Sequence, residues 1–303
     1  MSAEQLAQLS DQLVLGSVLL YLAAMIGFAL DLAYGKATVD TASQAASESG
    51  GATMTAVATK APPAWAVRAG TVAIVLTWIG WASNLAAIVL RGLSVGRWPW
   101  GNMYEFVIGI CFAAITAFLL TQTRYNVRFL GAFVTIAATL GLGFAVKFLY
   151  TAAGPVVPAL NSYWIAIHVT AAILASGLFT LAAVAGILYL VRGDGLSRLP
   201  ARADLERAAH RAIVLAFPVW TFAVIAGAMW ADKAWGRYWG WDPKEVWAFI
   251  TWVAYAAYLH ARVTAGWRGK SAAIVQLVAY GCLLFNLVGV NIFLGGLHSY
   301  SGL

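Results

Sequence analysis

The sequence predicts an all-α polytopic integral membrane protein of about eight transmembrane helices, with both termini outside. Three observations lead there. Hydrophobic residues make up 62% of the 303 positions and charged residues only 10%, with a mean hydropathy of +0.78. A soluble domain carries roughly a quarter charged residues. The apolar residues also gather in runs of about 20, the length that crosses a bilayer as a helix. Finally, the basic residues lie in short groups between those runs, in unequal numbers on alternate sides. Helices are required because each backbone polar group in lipid needs a partner within its own span.

The first span is read at 12–33. The stretch before it, "MSAEQLAQLSDQ", lacks the basic start of a cleavable signal peptide, so this helix is expected to be retained and to form a first unit, 1–34. Residues 35–68 are read as a flexible cytoplasmic linker, since 35–64 is rich in Ala, Thr, Ser and Gly and has no apolar periodicity. Seven further spans follow at 69–90, 104–122, 129–149, 162–191, 212–230, 244–261 and 272–296, which make 69–303 one transmembrane domain. Between the fifth and sixth, "RGDGLSRLPARADLERAAHR" carries five arginines and a short amphipathic helix from near Arg202. Neither a soluble domain nor an internal repeat is visible.

Counting Lys and Arg in alternate loops gives the orientation. Thirteen of the nineteen lie in one set of loops, from Lys36 to Lys270, and six in the other: Arg91, Arg97, Lys147, Lys233, Arg237 and Lys244. The richer set belongs in the cytoplasm. That distribution accounts for the net charge of +7 without any nucleic-acid partner. The two cysteines, Cys111 and Cys282, lie inside apolar runs and form no Cys-x-x-Cys, so they are read as buried, inert thiols, and neither a dithiol redox function nor a covalent haem site is expected of this chain.

Four histidines remain. His168 lies about six residues into the fifth span, and His298 at the outer end of the last. Their matched depth allows both imidazoles to serve as axial ligands of one haem iron, although a histidine in a helix is often only a packing residue. His260 follows Lys244 by 16 residues, about 24 Å deeper at ~1.5 Å per residue, and no other histidine shares its depth. His210 belongs to the arginine-rich loop. The intervals between successive histidines are 42, 50 and 38 residues, unlike the paired spacing of a diheme cytochrome b.

The segment "WGRYWGWDPKEVW", 235–247, is the least expected in so apolar a chain, and half of the fourteen tryptophans fall between 230 and 267. An aromatic belt at the membrane surface accounts for one or two tryptophans at a helix end. A site for haem would need aromatic faces for the ring, cations for the propionates and imidazoles for the iron. Trp230, Trp235, Tyr238, Trp239, Trp241 and Trp247 are candidates for the ring, and Lys233, Arg237 and Lys244 for the propionates. Arg237 suits a carboxylate best, through its planar fork. Asp242 and Glu245 are candidates for chemistry, or Asp242 for the N-cap of the seventh helix. In "RWPWGNMYEF", Arg97 either meets a propionate or belongs with Asn102 and Glu105 to an interfacial cap.

The stretch "WGRYWGWDPKEVWAFITWVAYAAYLHAR" closely resembles the tryptophan-rich WWD signature of the haem-handling proteins of cytochrome c maturation, in particular the CcsA/ResC type of the system II pathway. The likeness extends to "LNSYWIAIHV", "GGLHSYSG" and "GRWPWGNMYEF". It implies that the WWD segment (230–247) faces outward and holds haem b as a transient substrate. His168 and His298 would be axial ligands of that haem, and His260 would bind haem within the membrane with a histidine from a ResB-type membrane protein. Trp235, Trp239, Trp241 and Asp242 would belong to the same haem site. It also implies a second partner, apocytochrome c, and membership of a holocytochrome c synthase complex. The Ala-rich composition favours a bacterial cytoplasmic membrane over a thylakoid membrane. A haem or small-molecule transporter with no role in covalent attachment is the alternative, and a structural membrane subunit a third.

Overall fold

The computed structural model describes residues 1–35, 38–39, 59–192 and 198–298. Eight long helices run in sequence, and their boundaries follow from local capping chemistry. α1 (Ala3–Tyr34) opens on a capping box in which Ser2 and Gln5 satisfy each other's backbone amides. A two-residue antiparallel pair, β1 (Thr38–Val39) with β2 (Thr59–Lys60), joins the ends of the linker; residues 40–58 lie outside the described part. α2 (Ala64–Val95) starts after Pro62 and Pro63 and ends at Gly96, whose φ of 60° fits the left-handed helix cap. α3 (Met103–Arg124) is capped by Asn102, and α4 (Gly131–Phe148) follows a 3-10 turn at Arg128–Leu130. α5 (Tyr163–Val191) is capped by Ser162, α6 (Arg202–Trp235) ends at Gly236, and α7 (Pro243–Thr264) begins at Asp242. α8 (Gly269–Leu284) continues through a π turn, Phe285–Gly289, into a last α turn, Val290–Phe293.

Among the described residues, seven of these helices are long and apolar enough to cross a membrane. α7 is the exception, because Lys244, Glu245, His260 and Arg262 dilute its apolar content. Its buried face is the narrow row Thr251, Tyr255 and Tyr258, at the i, i+4, i+7 spacing of one helix side. The chain is a multi-pass membrane protein.

Two expectations from the sequence shift. The short amphipathic helix near Arg202 and the span at 212–230 are one continuous helix, since "RADLERAAHRAIV" contains no Gly or Pro to break it. His210 is therefore a helical residue, its Nδ1 3.4 Å from the Tyr258 hydroxyl. The second span begins at Ala64, five residues before the expected start, directly after the two prolines that end the linker.

α1 and α2 form a long antiparallel pair, and α1 also packs on α4. Gly27 permits that approach, because a Cβ there would stand 2.8 Å from the Ala69 carbonyl oxygen. α5 lies against α6 over most of its length, contacts α3 on another side and α8 on a third. It is accordingly the central helix, with Ile173, Ala175, Phe179 and Ala185 buried.

Charged residues at the helix ends knit each surface of the bundle. At one end Arg91 (2% exposed) bonds Glu105 at 2.8 Å and meets Asp11 at 3.4 Å, while Arg97 bonds the same Glu105 through both terminal nitrogens at 2.9 and 3.1 Å. The Gly101 amide donates to Glu105 as well, at 2.6 Å. At the opposite end Arg128 pairs with Asp31 at 3.0 Å, and Arg262 pairs with Glu206. These pairs join α1, α2 and α3 at one surface, and at the other α1 with the turn before α4 and α6 with α7.

Removing one member of a buried ion cluster leaves the others unpaired, which costs about 3–5 kcal/mol. Glu105→Ala should therefore lower the thermal midpoint of the detergent-solubilised protein far more than Asp204→Ala, which breaks only a surface pair. Equal shifts would show that the buried cluster carries no special weight.

Candidate functional site

The aromatic segment, the fifth helix and the last helix meet around one cavity of about 180 Å³. α5 brings His168, α6 brings Trp220, Trp230 and its last residue Trp235, and the turn after α6 brings Tyr238 and Trp239. His298 closes it from the turn that follows the last helical segment. The 100–106 stretch contributes Trp100 and Phe106 to the remaining wall.

Each of the two histidines is held through Nδ1. His168 Nδ1–H donates to the Ala223 carbonyl at 2.8 Å, and His298 Nδ1–H donates to Asp242 Oδ2 at 2.7 Å. A neutral imidazole bonded this way carries its lone pair on Nε2, the atom that ligates a metal, and an acceptor on Nδ1 is the usual support of a histidine ligand. Gly227 makes the first arrangement possible: a Cβ there would stand 2.8 Å from His168 ring atoms. The Trp230 ring lies near both imidazoles, 6.1 Å and nearly parallel to His168, and 5.6 Å from His298. Trp230 is itself fixed by a 3.0 Å bond from Nε1 to the Ala159 carbonyl, and Trp235 packs edge-on against it at 4.8 Å.

Asp242 organises the second half. Its carboxylate accepts from the Lys244 amide at 3.1 Å and from the Leu297 amide at 2.5 Å, besides His298. Glu245 completes the capping box by accepting from the Gly240 and Asp242 amides. Between them Trp241 is forced to φ 57°, the left-handed region that bulky residues avoid, and its ring is 72% exposed. Trp241 thus stands outside the cavity, against Trp239 at 5.8 Å. Burial alone would raise the Asp242 carboxyl; the bonds from His298 and the Leu297 amide outweigh it and hold the group below its ordinary 3.8.

The three candidate cations separate. Lys244 Nζ donates to the carbonyls of Asn286 and Leu287 at 2.6 and 3.3 Å, satisfying acceptors that the π turn leaves open. Lys233 pairs with Asp232 at 3.0 Å. Arg237 is exposed, lies over Gly240, and has no carboxylate partner among the described residues. Arg97 stands apart from the cavity lining, engaged with Glu105 and with the Gly154 and Trp98 carbonyls. That is the interfacial-cap arrangement, and it fixes the loop that carries Trp100. His260 is exposed near the far end of α7, away from this cavity. Trp247 packs on Phe285 at 4.2 Å and Trp252 bonds Thr221, so both serve packing.

Some of the site had little signal in sequence. Gly227 and Ala223 look like ordinary small residues of a span, and the contributions of Trp100, Leu160 and Asn286 depend on tertiary contacts. Two lining residues, Trp100 and Asn286, have a buried polar atom with no hydrogen-bond partner among the described residues. Such atoms mark a cavity suited to a ligand with polar groups.

Residues 100–298 match the cytochrome c assembly protein family, a range that contains both histidines and every residue that lines the cavity. The chain belongs to this family, in its CcsA-type group. Cytochrome c biogenesis proteins CcsA of Trieres chinensis and Gloeobacter violaceus are 31% and 30% identical, over 75% and 73% of this chain and 88% and 86% of theirs. The CcsA protein of Chlamydomonas reinhardtii is 35% identical over 72% of this chain, which spans 66% of that relative's length. The fold is shared with the cytochrome c haem lyase CcmF at a TM-score of 0.60 and 16% identity, covering 95% of this chain and 47% of the other.

In this CcsA-type chain the Asp242–His298 bond has a defined pH signature. A carboxylate held below its ordinary value stabilises the fold fully above that value and loses the contribution as pH falls through its folded value. Asp242→Asn should therefore lower the thermal midpoint at pH 7, and the gap to the unaltered protein should narrow on acidification below about 4. A gap independent of pH would remove charge from the account of this bond.

Proposed function

We propose that this chain, with a ResB-type membrane partner, takes haem b across the bacterial cytoplasmic membrane as a transient substrate. It presents that haem on the outer face for covalent attachment to the Cys-x-x-Cys-His segment of apocytochrome c. One observation carries the reading: two histidines face one aromatic cavity, each with Nδ1 engaged and its lone pair on Nε2.

The residues present suit that substrate. Trp230, Trp235 and Trp239 offer faces for the ring, with Trp241 exposed beside them, and Arg237 is a cation at the rim for a propionate. A cavity of about 180 Å³ is smaller than the roughly 300–1,000 Å³ of pockets that enclose a ligand. The side formed by the exposed Tyr238 and the half-buried Trp239 would therefore open outward to admit it, while Trp230 and the histidines stay fixed. Haem brings the vinyl groups and the iron; the chain supplies position. Its two imidazoles would hold the iron until the cytochrome's own histidine replaces one of them. Each cysteine thiol then adds across a vinyl group, sulfur bonding the inner carbon and the proton going to the outer one.

The arginine and lysine asymmetry supports an outward WWD segment and outward termini. The exposed His260 supports a partner that supplies the second imidazole, because α7 turns a broad face, including Phe249 and Val253, out of the bundle.

The double variant His168→Ala/His298→Ala should yield no holocytochrome c in cells while the protein still reaches the membrane; normal yield would overturn the ligand assignment. Gly227→Ala should lower the haem retained by the purified complex, since the added methyl displaces His168, and undiminished haem would separate that contact from binding. His260→Ala should deplete haem only when the partner is co-purified. An unchanged content in the complex would return His260 to a packing role.

A further inference from the structure

A second and larger cavity, of about 1540 Å³, opens at the arginine-rich end of the bundle, opposite the aromatic site. It occupies the wedge between the start of α6 and the ends of α1, α3 and α4, where α6 packs on α5 and stands away from its other neighbours. Its depth is apolar: Leu178 and Leu181 of α5, Val214 and Leu215 of α6, Phe28 and Leu130. Leu178 is 13 residues inside the end of α5, so the cavity reaches about 20 Å below the surface at ~1.5 Å per residue.

The mouth is basic. Five arginines line it, at 124, 128, 192, 207 and 211, against two aspartates. Both aspartates are already engaged, Asp31 with Arg128 and Asp204 with Arg207. Arg124, Arg192 and Arg211 have no carboxylate partner among the described residues, and Arg211 lies over the Tyr125 ring at 4.7 Å. The Arg192 Nε–H is buried and has no acceptor among the described residues. A buried guanidinium nitrogen without a partner is costly, which points to an anionic group that is not among the described residues. The wedge therefore combines a tail-length apolar groove with three arginines that have no carboxylate partner among the described residues.

We propose that this wedge is a binding site for an anionic phospholipid, its phosphate headgroup meeting Arg124, Arg192 and Arg211 and an acyl chain lying along α5 and α6. Basic pockets between transmembrane helices on the cytoplasmic side take such headgroups, and guanidinium forks match phosphate oxygens in pairs. The lipid would fill the gap between α6 and the α1–α4 group and so brace α6, whose other end carries Trp230 and Trp235.

The test uses the full-length protein in nanodiscs of phosphatidylcholine with or without phosphatidylglycerol, together with mass spectrometry of lipid retained after detergent washing. Phosphatidylglycerol should be retained in preference to phosphatidylcholine and should raise the thermal midpoint. Its retention should fall by roughly fivefold for each arginine removed in the series Arg211→Gln, Arg192→Gln, Arg124→Gln, and the corresponding lysine variants should keep part of it. No preference for phosphatidylglycerol in the unaltered protein would overturn the proposal whatever the variants do. Equal stabilisation by inorganic phosphate alone would assign the arginines to a soluble anion and overturn it too. Displacement of the retained lipid by added haem would make the wedge part of the haem route instead.

Discussion

One carboxylate joins the parts of the aromatic site. Asp242 accepts hydrogen bonds from the amide that starts α7, from the Leu297 amide and from the His298 imidazole. The first is ordinary capping, worth about 1 kcal/mol by itself. The other two bring the end of the chain back to a turn more than fifty residues earlier in sequence. Because His298 gives its Nδ1 proton to that carboxylate, its orientation and tautomer follow from the cap. The same turn forces Trp241 into left-handed backbone and out toward the surface. Cap, strained tryptophan and oriented histidine are thus one device rather than three.

The opposite wall is built on a different principle. His168 is held by a backbone carbonyl of α6 and by the absence of a side chain at Gly227, so its position depends on how closely α5 and α6 pack. That packing extends over most of both helices and buries Phe179, Ala175 and Ala223. One imidazole is therefore fixed by rigid helix packing and the other by a turn. Tyr238 and Trp241 are exposed in that turn.

Most of the span pattern was legible in the sequence, because bilayer thickness and backbone satisfaction leave few choices. The helix ends near Arg202 and Ala64 were not, since polar residues with good helix propensity extend a helix beyond its apolar part. The aromatic segment, Asp242, His168 and His298 stood out by residue type and depth. The division of labour among the cations did not. Lys244, Arg97 and Arg237 look alike in sequence, and only the π turn beside Lys244 and the Glu105 carboxylate beside Arg97 distinguish them. Arg91, read as a loop cation, is buried because Glu105 and Asp11 lie on neighbouring helices, a pairing that sequence distance conceals.

The central claim is that His168 and His298 ligate the same iron, and the spin state of the bound haem tests it most directly. Visible and electron paramagnetic resonance spectra of the purified complex should show a six-coordinate, low-spin haem with two imidazole ligands. Each single variant, His168→Ala or His298→Ala, should convert that signal to a high-spin, five-coordinate one. A low-spin spectrum that survives either substitution would contradict the account.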